Sequence, residues 1–594
     1  MFNQAFTEFM KKHAFTLVMA TAAIIIVAKA YAIGQGLEQR FAGMGNDDIL
    51  RLTMVRDLIA GQPWFDQTQY KMVPPEGLPV HWSRYIDGGI AALVLPLSLF
   101  LPMQTAEQVA VMVWPTLILL ITTCVIGFGT RRIFGTAAAC FAVACLVFWP
   151  LTADLHARPG NVDHHNVQYL MMVIVLFAIV WPNRPNRAGL TGGIAAAFSL
   201  AVGLENLAFL VLAGAVLLVK AAHDRETELP RLRWFCAGLS VAGVVFWLGQ
   251  ASDAYRFQMI CDQLGVPILA LVGLASIASL APFAVGGLKK KPRMIVGMTA
   301  AMTAVGLVIL WPVTSVCITG PYGTLPPFIQ EFIAGAITEA RPGIVYAQLR
   351  PTPALLFVLP VVASIVIAFA LLADRSGKVE ITPTVRSTVL IYVVFCTAGF
   401  GLVFYQMRTV NLAATPVPML AGFIMAHFLQ TYLQERSLAA GAKIFLSGFV
   451  LVAPTVAVSA VAPLLPEAKA GNSGFASCRS YDVMQSLNEI PPAVILAHGN
   501  FGPLIIWSTH HSALAAPYHR STTAMSNAIL PFRAVDEDVE AEVRATGAEM
   551  LMLCNGHTVG SDFMNSLSEG ATANWLRPVP VSSDAILLFE ILPE

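Results

Sequence analysis

Apolar residues in this chain gather into long runs separated by short polar stretches, and a run of about 20 apolar residues lets an α-helix cross a bilayer. About thirteen such runs can be counted, approximately at 14–33, 108–129, 134–152, 167–181, 190–204, 206–219, 234–250, 266–285, 294–313, 353–372, 388–404, 415–432 and 443–463. The stretch Gly88 to Met103 is apolar but short and carries Pro96 and Pro102, so it is expected to be an interfacial or re-entrant helix. The run from 190 to 219 reads as two spans meeting at Glu205-Asn206. The first run follows Lys11-Lys12 without a small-residue cleavage site and is expected to be an anchor rather than a signal peptide.

Charge orients this pattern. Lys11-Lys12, Arg131-Arg132, Arg184 with Arg187, Lys220 to Arg233, Lys289-Lys290-Lys291 with Arg293, Arg375 to Arg386 and Arg436 to Lys443 fall on alternate loops. The positive-inside rule makes that side cytoplasmic, with the N-terminus in and the C-terminus out. Of 594 residues 56% are hydrophobic and 12% charged, a balance no water-soluble surface of this size could have, so the expectation is a mostly α, multi-pass protein of the cell (inner) membrane. Lys+Arg and Asp+Glu are equal at 36, which leaves no basic patch for a nucleic-acid partner.

Candidate chemistry then lies in the outer loops. The sequence Arg158-Pro-Gly-Asn-Val-Asp163-His164-His165-Asn166 sets four ionisable groups between two apolar runs. It is either a polar turn or a site for a divalent cation, with carboxylate and imidazole ligands suited to Mg, Mn or Zn. Asp47-Asp48 opens a helix-like stretch and reads locally as an N-cap or as a carboxylate pair available for chemistry. Glu339 in Ala336-Ile-Thr-Glu-Ala-Arg-Pro342 is either a surface partner of Arg341 or a third acidic element. Arg408 either snorkels to headgroups or grips phosphate oxygens bidentately.

Composition changes at Leu464. From 464 to 594 short apolar runs alternate with polar and helix-like stretches, which predicts a soluble periplasmic α/β domain after a membrane domain of residues 1–463. Of the nine cysteines, Cys261, Cys317, Cys478 and Cys554 fall outside predicted spans, on the oxidising face. They are expected to pair as Cys261 with Cys317 and Cys478 with Cys554, the alternative being four free thiols.

Three acidic elements and one Arg in this order resemble the catalytic subunit of oligosaccharyltransferases, members of the GT-C glycosyltransferase superfamily. Asn46-Asp47 is similar to the family's first acidic motif, Asp163-His164-His165 to its second, Ala336 to Pro342 to its Thr-Ile-x-Glu element, and Arg408 to its pyrophosphate-binding Arg. The resemblance covers almost the whole chain and implies a GT-C-like fold of about 13 spans with a soluble external domain. It also implies a divalent metal, Mg or Mn, held by Asp47, Asp163, His165 and Glu339. Asp47, Asp48 or Glu339 would orient or deprotonate the acceptor, and Arg408 would hold the donor phosphate. Implied partners are a polyprenyl-linked sugar donor, a glycan, lipid or protein acceptor, and membrane lipids, with inversion at the anomeric centre. The family's Trp-Trp-Asp-Tyr-Gly acceptor-reading motif is missing; Asn500-Phe501-Gly502-Pro503 stands in a broadly similar place.

Other classes stay open. A monosaccharide transferase acting on a lipid or polysaccharide, a polyprenyl-linked glycan flippase or transporter, and a receptor or scaffold each fit a chain of this composition. The near absence of acidic residues inside the predicted spans weighs against a transport pathway.

Overall fold

The computed structural model describes residues 2–34, 44–152, 156–252, 254–288, 291–320, 322–374, 380–466, 478–556 and 560–594. Lys289, Lys290, Arg375 and the stretch that follows Leu464 from 467 to 477 lie outside the described residues. The chain is a helical, multi-pass membrane protein. Seven described helices are long and apolar enough to cross a membrane, or nine if two bent helix pairs each count as one span. Thr136–Phe148, His165–Val180 and Leu207–His223 are shorter apolar helices.

Small residues let these helices approach closely. A Cβ at Gly189 would collide with the Arg231 carbonyl and one at Gly193 with that of Phe235, so helix Pro185–Val202 lies against Arg225–Gln250 almost backbone to backbone. The apolar run through 190–219 breaks at 203–206, between Val202 and Leu207. The Gly88 to Met103 stretch forms helix Arg84–Ser98, capped by the Ser83 hydroxyl accepting from Tyr85 N–H, and a short turn joins it to Met103–Phe134.

Among the described residues two sheets form besides the helices. Strands β1 (Thr68–Gln69) and β2 (Leu78–Pro79) make an antiparallel ribbon. Strands β3 (Val494–Ala497), β4 (Ser512–Ala513), β5 (Met550–Cys554), β6 (Leu576–Val579) and β7 (Ile586–Ile591) form a five-stranded mixed sheet in the order β4-β3-β5-β7-β6. Its β4 edge is not left open. Ala513 N–H donates to the Lys71 carbonyl and the Ala513 carbonyl accepts from Val73 N–H, at 3.0 and 2.8 Å, so the loop before helix Arg84–Ser98 is stitched onto the sheet. A single apolar core accordingly runs from Ile49, Leu50, Met54 and Ile90 through to Ile495, Leu504 and Met552. Disulfides join Cys261 to Cys317 and Cys478 to Cys554.

Candidate active site

Helix Asn46–Ile59 supplies the first part of the site. Its N-cap is Gly45, and no side chain caps it. The Asp48 carboxylate instead accepts from the backbone N–H groups of Val162 and Asp163, at 2.8 and 2.9 Å, fixing the Asp163 turn. One turn on, Arg51 is fully buried, donating to Asp87 at 2.8 Å and to Asp163 at 3.1 Å while its guanidinium lies over the Trp82 ring. Arg56 completes the clamp. It donates to both oxygens of Glu107 and to the Trp507 carbonyl, tying the helix to a membrane helix and to the C-terminal sheet region.

These bonds make a row of alternating charge. Arg84 pairs with Asp87 at 3.1 Å, Asp87 with Arg51, Arg51 with Asp163, Asp163 with His164 Nδ1 at 2.6 Å, and His164 Nε2 with Glu205 at 3.1 Å. Buried charges persist only when paired, and here each has an opposite neighbour. Against their burial, the charge and hydrogen bond of His164, with His165 and Arg51, hold Asp163 well below the usual carboxylate range. The same partners work on His164: burial opposes, but Asp163 and Glu205 push the imidazole up to about 10. His164 is thus cationic at neutral pH with both ring nitrogens engaged. Asp163 Oδ2 stays directed towards His165 Nε2, 3.4 Å away.

Asp47 differs from its neighbour. Its side chain is open to solvent but set in a crowded recess, and desolvation followed by the charge of Asp163 pushes its carboxyl up to about 7, Glu339 adding and His164 and Arg51 opposing. Burial and Asp163 likewise push Asp48 up to about 8. Tyr518, from the C-terminal region, is buried beside Asp47 and its hydroxyl makes no hydrogen bond of good geometry.

Arg408 faces an open cavity of about 150 Å³ whose walls include His156, His165, Gln168, Glu205 and Asn411. Its Nε donates to Gln406 at 3.0 Å, and Tyr322 lies against the guanidinium. Glu339 stands exposed in the turn Thr338–Ala340, which docks on the Arg408 turn through Met407 N–H donating to the Arg341 carbonyl at 2.8 Å. Glu339 is within electrostatic reach of Asp47 but outside the tight group of Asp163, His164 and His165, whose ligand atoms lie within 4.8 Å of one another.

Sequence reasoning gave no site role to Arg51, Asp87, Arg84 or Glu205. Glu205 carried a signal, an acidic residue interrupting an apolar run. Arg51 carried little beyond its position four residues after Asp47, which places both on one helix face.

No protein-family model matches the chain, and no curated protein sequence does. Solved structures do. The archaeal oligosaccharyltransferase AglB from Archaeoglobus fulgidus, in complex with an inhibitory peptide and a dolichol-phosphate, superposes with a TM-score of 0.66 at 12% identity, over 94% of this chain and 72% of that one. The fold is that of GT-C glycosyltransferases. The Archaeoglobus fulgidus oligosaccharyltransferase tethered to an acceptor peptide shares this GT-C fold at 0.66 and 13% identity, covering 99% and 75% of the two chains. Its complex with Zn and sulfate does so at 0.63 and 12%, covering 97% and 74%.

Proposed function

We propose that this chain is a membrane glycosyltransferase that moves a sugar or oligosaccharide from a polyprenyl phosphate or pyrophosphate to an acceptor. The observation that carries the reading is the cavity itself, where Arg408, His165 and Glu205 share one wall system beside Asp163 and Asp47. The chemistry follows from these groups. A phosphate leaving group departs as an anion, and the planar guanidinium of Arg408 matches its oxygens at two points. Asp47, with a carboxyl near neutrality, is suited to orient the acceptor nucleophile and take its proton, with Glu339 entering from the neighbouring turn. Asp48 acts as a positioning residue through its two backbone bonds to the Asp163 turn. Direct displacement by the acceptor inverts the anomeric centre.

The donor set suits a divalent metal. Asp163 Oδ2 and His165 Nε2 stand close together with ligating atoms free of the buried charge row, and Asp47 lies within electrostatic reach of Asp163 though outside that tight group. Asp47, Asp163 and His165, with Glu339, would hold Mg or Mn, which supplies charge neutralisation at the leaving phosphate when bound. Support for the partners comes from the neighbours, one solved with a dolichol-phosphate and an inhibitory peptide, another with an acceptor peptide, a third with Zn. The membrane we assign is the inner membrane, with the N-terminus cytoplasmic, about 13 spans, and residues 464–594 as a periplasmic domain bearing on the site.

One observation favours a non-peptide acceptor. Phe501, Gly502 and Pro503 are buried, and Asn500 is used by Asn46, whose amide donates to it at 2.9 Å. That segment offers no open surface for reading a peptide, so a monosaccharide transfer to a lipid or polysaccharide is the second reading. Both are tested by incubating purified protein with polyprenyl-linked sugars and candidate acceptors and following release of the polyprenyl carrier. Release that is abolished by Asp47→Asn supports the proposal. Release that survives Asp47→Asn, or none from any polyprenyl-linked sugar, refutes it.

A further inference from the structure

We propose that His81, Asp262 and His519 form a second metal site, for a zinc-class ion, that clasps the C-terminal region to the loops outside the membrane helices. The three come from remote parts of the chain, and their ligand atoms lie within 4.8 Å of one another. His519 Nε2 is 3.0 Å from Asp262 Oδ2, and the His81 and His519 rings are 4.7 Å apart between centroids. Two ligands of a tetrahedral zinc with bonds of about 2.0 Å stand about 3.3 Å apart. The His519–Asp262 pair therefore already has the spacing, and the wider gaps close by side-chain rotation of about 1.5 Å.

The surroundings are those of a built ligand set. Asp262 adjoins Cys261, whose disulfide to Cys317 anchors the loop covalently. Arg520 donates to both carboxylate oxygens at 2.7 Å, the outer-shell bonding that orients a ligating carboxylate. Tyr322 packs edge-on against the His519 ring at 5.2 Å and fixes its plane. All three ligands are only partly buried, so an ion and a solvent molecule as fourth ligand can enter. Two imidazoles and one carboxylate select zinc over magnesium, which prefers an all-oxygen shell.

The clasp sits next to the chemistry. Trp82 follows His81, Tyr518 precedes His519, and these two rings meet edge to face at 5.6 Å with Arg51 over Trp82 and Asp47 beside Tyr518. This inference does not depend on the proposed reaction.

The test strips purified full-length protein with a chelator, reloads it with zinc chloride, removes excess ion and counts zinc per chain by elemental mass spectrometry. One zinc that is lost in the His81→Ala/His519→Ala double variant and kept in Asp163→Ala supports the proposal. Zinc that follows Asp163 instead, or no retained zinc, overturns it. If the double variant fails to fold, the zinc K-edge spectrum of Asp163→Ala decides: a shell of two imidazole nitrogens with oxygen supports the clasp, and a shell without imidazole overturns it.

Discussion

Asp163 and Asp262 are each a carboxylate with two histidines and one arginine, yet the two clusters are assembled in opposite ways. Asp163, His164 and His165 are consecutive, and the arginine that grips them, Arg51, is fully buried and shared with a second carboxylate, Asp87. Asp262, His81 and His519 come from three loops, and Arg520, whose guanidinium also lies over the Tyr255 ring, donates to both oxygens of Asp262. A consecutive cluster costs little chain entropy to form and can be spent on reactivity, opening on a cavity. A distributed one closes long loops when it forms, so its energetic consequence is to hold parts of the chain together.

The sharpest way to break this comparison is to remove each carboxylate's charge. Asp163→Asn is expected to lower glycosyl transfer by about 10²–10³, the scale of losing one electrostatic group aimed at developing charge. Asp262→Asn should leave turnover within about tenfold and lower the thermal midpoint instead. Equal losses of turnover from the two substitutions, in a transfer assay at saturating donor, would erase the distinction.

The arginines come next. Arg51→Met takes one cationic partner from each of two buried carboxylates, leaving Asp87 with Arg84 and Asp163 with His164, and is expected to cost about 3 kcal/mol in denaturant unfolding of the detergent-solubilised protein. Arg520→Met takes one partner from a single carboxylate, which keeps His519, and should cost less. A larger loss from Arg520→Met would show that the alternating charge row is not the stronger unit.

Why one cluster could be read from the sequence and the other could not follows from the same geometry. Ionisable residues adjacent in sequence between apolar runs announce themselves, and Arg408 does so by standing alone beside a long apolar run. Helix positions follow from run length, because lipid enforces internal backbone bonding. His81, Asp262 and His519 each look like ordinary loop residues, and nothing local brings them together. The docking of the Glu339 turn on the Arg408 turn is likewise a backbone bond, Met407 N–H to Arg341, that side-chain identity does not encode. In the tail β3, β5 and β7 fall on short apolar runs, whereas the run Leu504 to Trp507 lies in helix Gly502–Ser508 and β4 and β6 carried no such signal; the order β4-β3-β5-β7-β6 and the stitching of Lys71 to Val73 onto β4 are tertiary choices. The acidic pair shows the limit most directly: local sequence does not separate Asp47 from Asp48, only the resemblance favours Asp47, and adjacent positions on the helix send one to the recess and the other to the backbone of Val162 and Asp163.

Arg408→Lys sharpens the donor side of the reactive cluster. An ammonium cannot reproduce the planar two-point contact with phosphate, so the donor KM should rise by about tenfold with a smaller change in kcat. Unchanged transfer at limiting donor would remove Arg408 from the phosphate site.

The smallest expected effect separates the clusters by pH. Asp47 and Asp48 are raised in the folded chain to about 7 and about 8 from a value near 3.8, so the stability they contribute is fully present below that lower value and is lost as pH rises through 7 and 8. His164, raised to about 10, acts in the same direction from about 6.5 upward. Asp262 does not. Against its burial, the bonds from Arg520 and His519 hold it well below the carboxylate range, so it is ionised throughout this window. A cation at Asp47 and Asp163 favours the ionised form of Asp47 and offsets more of the loss at high pH. Saturating Mn²⁺ should therefore raise the thermal midpoint by a few degrees more at pH 8 than at pH 6, an increment that Asp47→Asn removes and Asp262→Asn leaves in place. An increment that is equal at both pH values, or that survives Asp47→Asn, would place the manganese away from the reactive cluster.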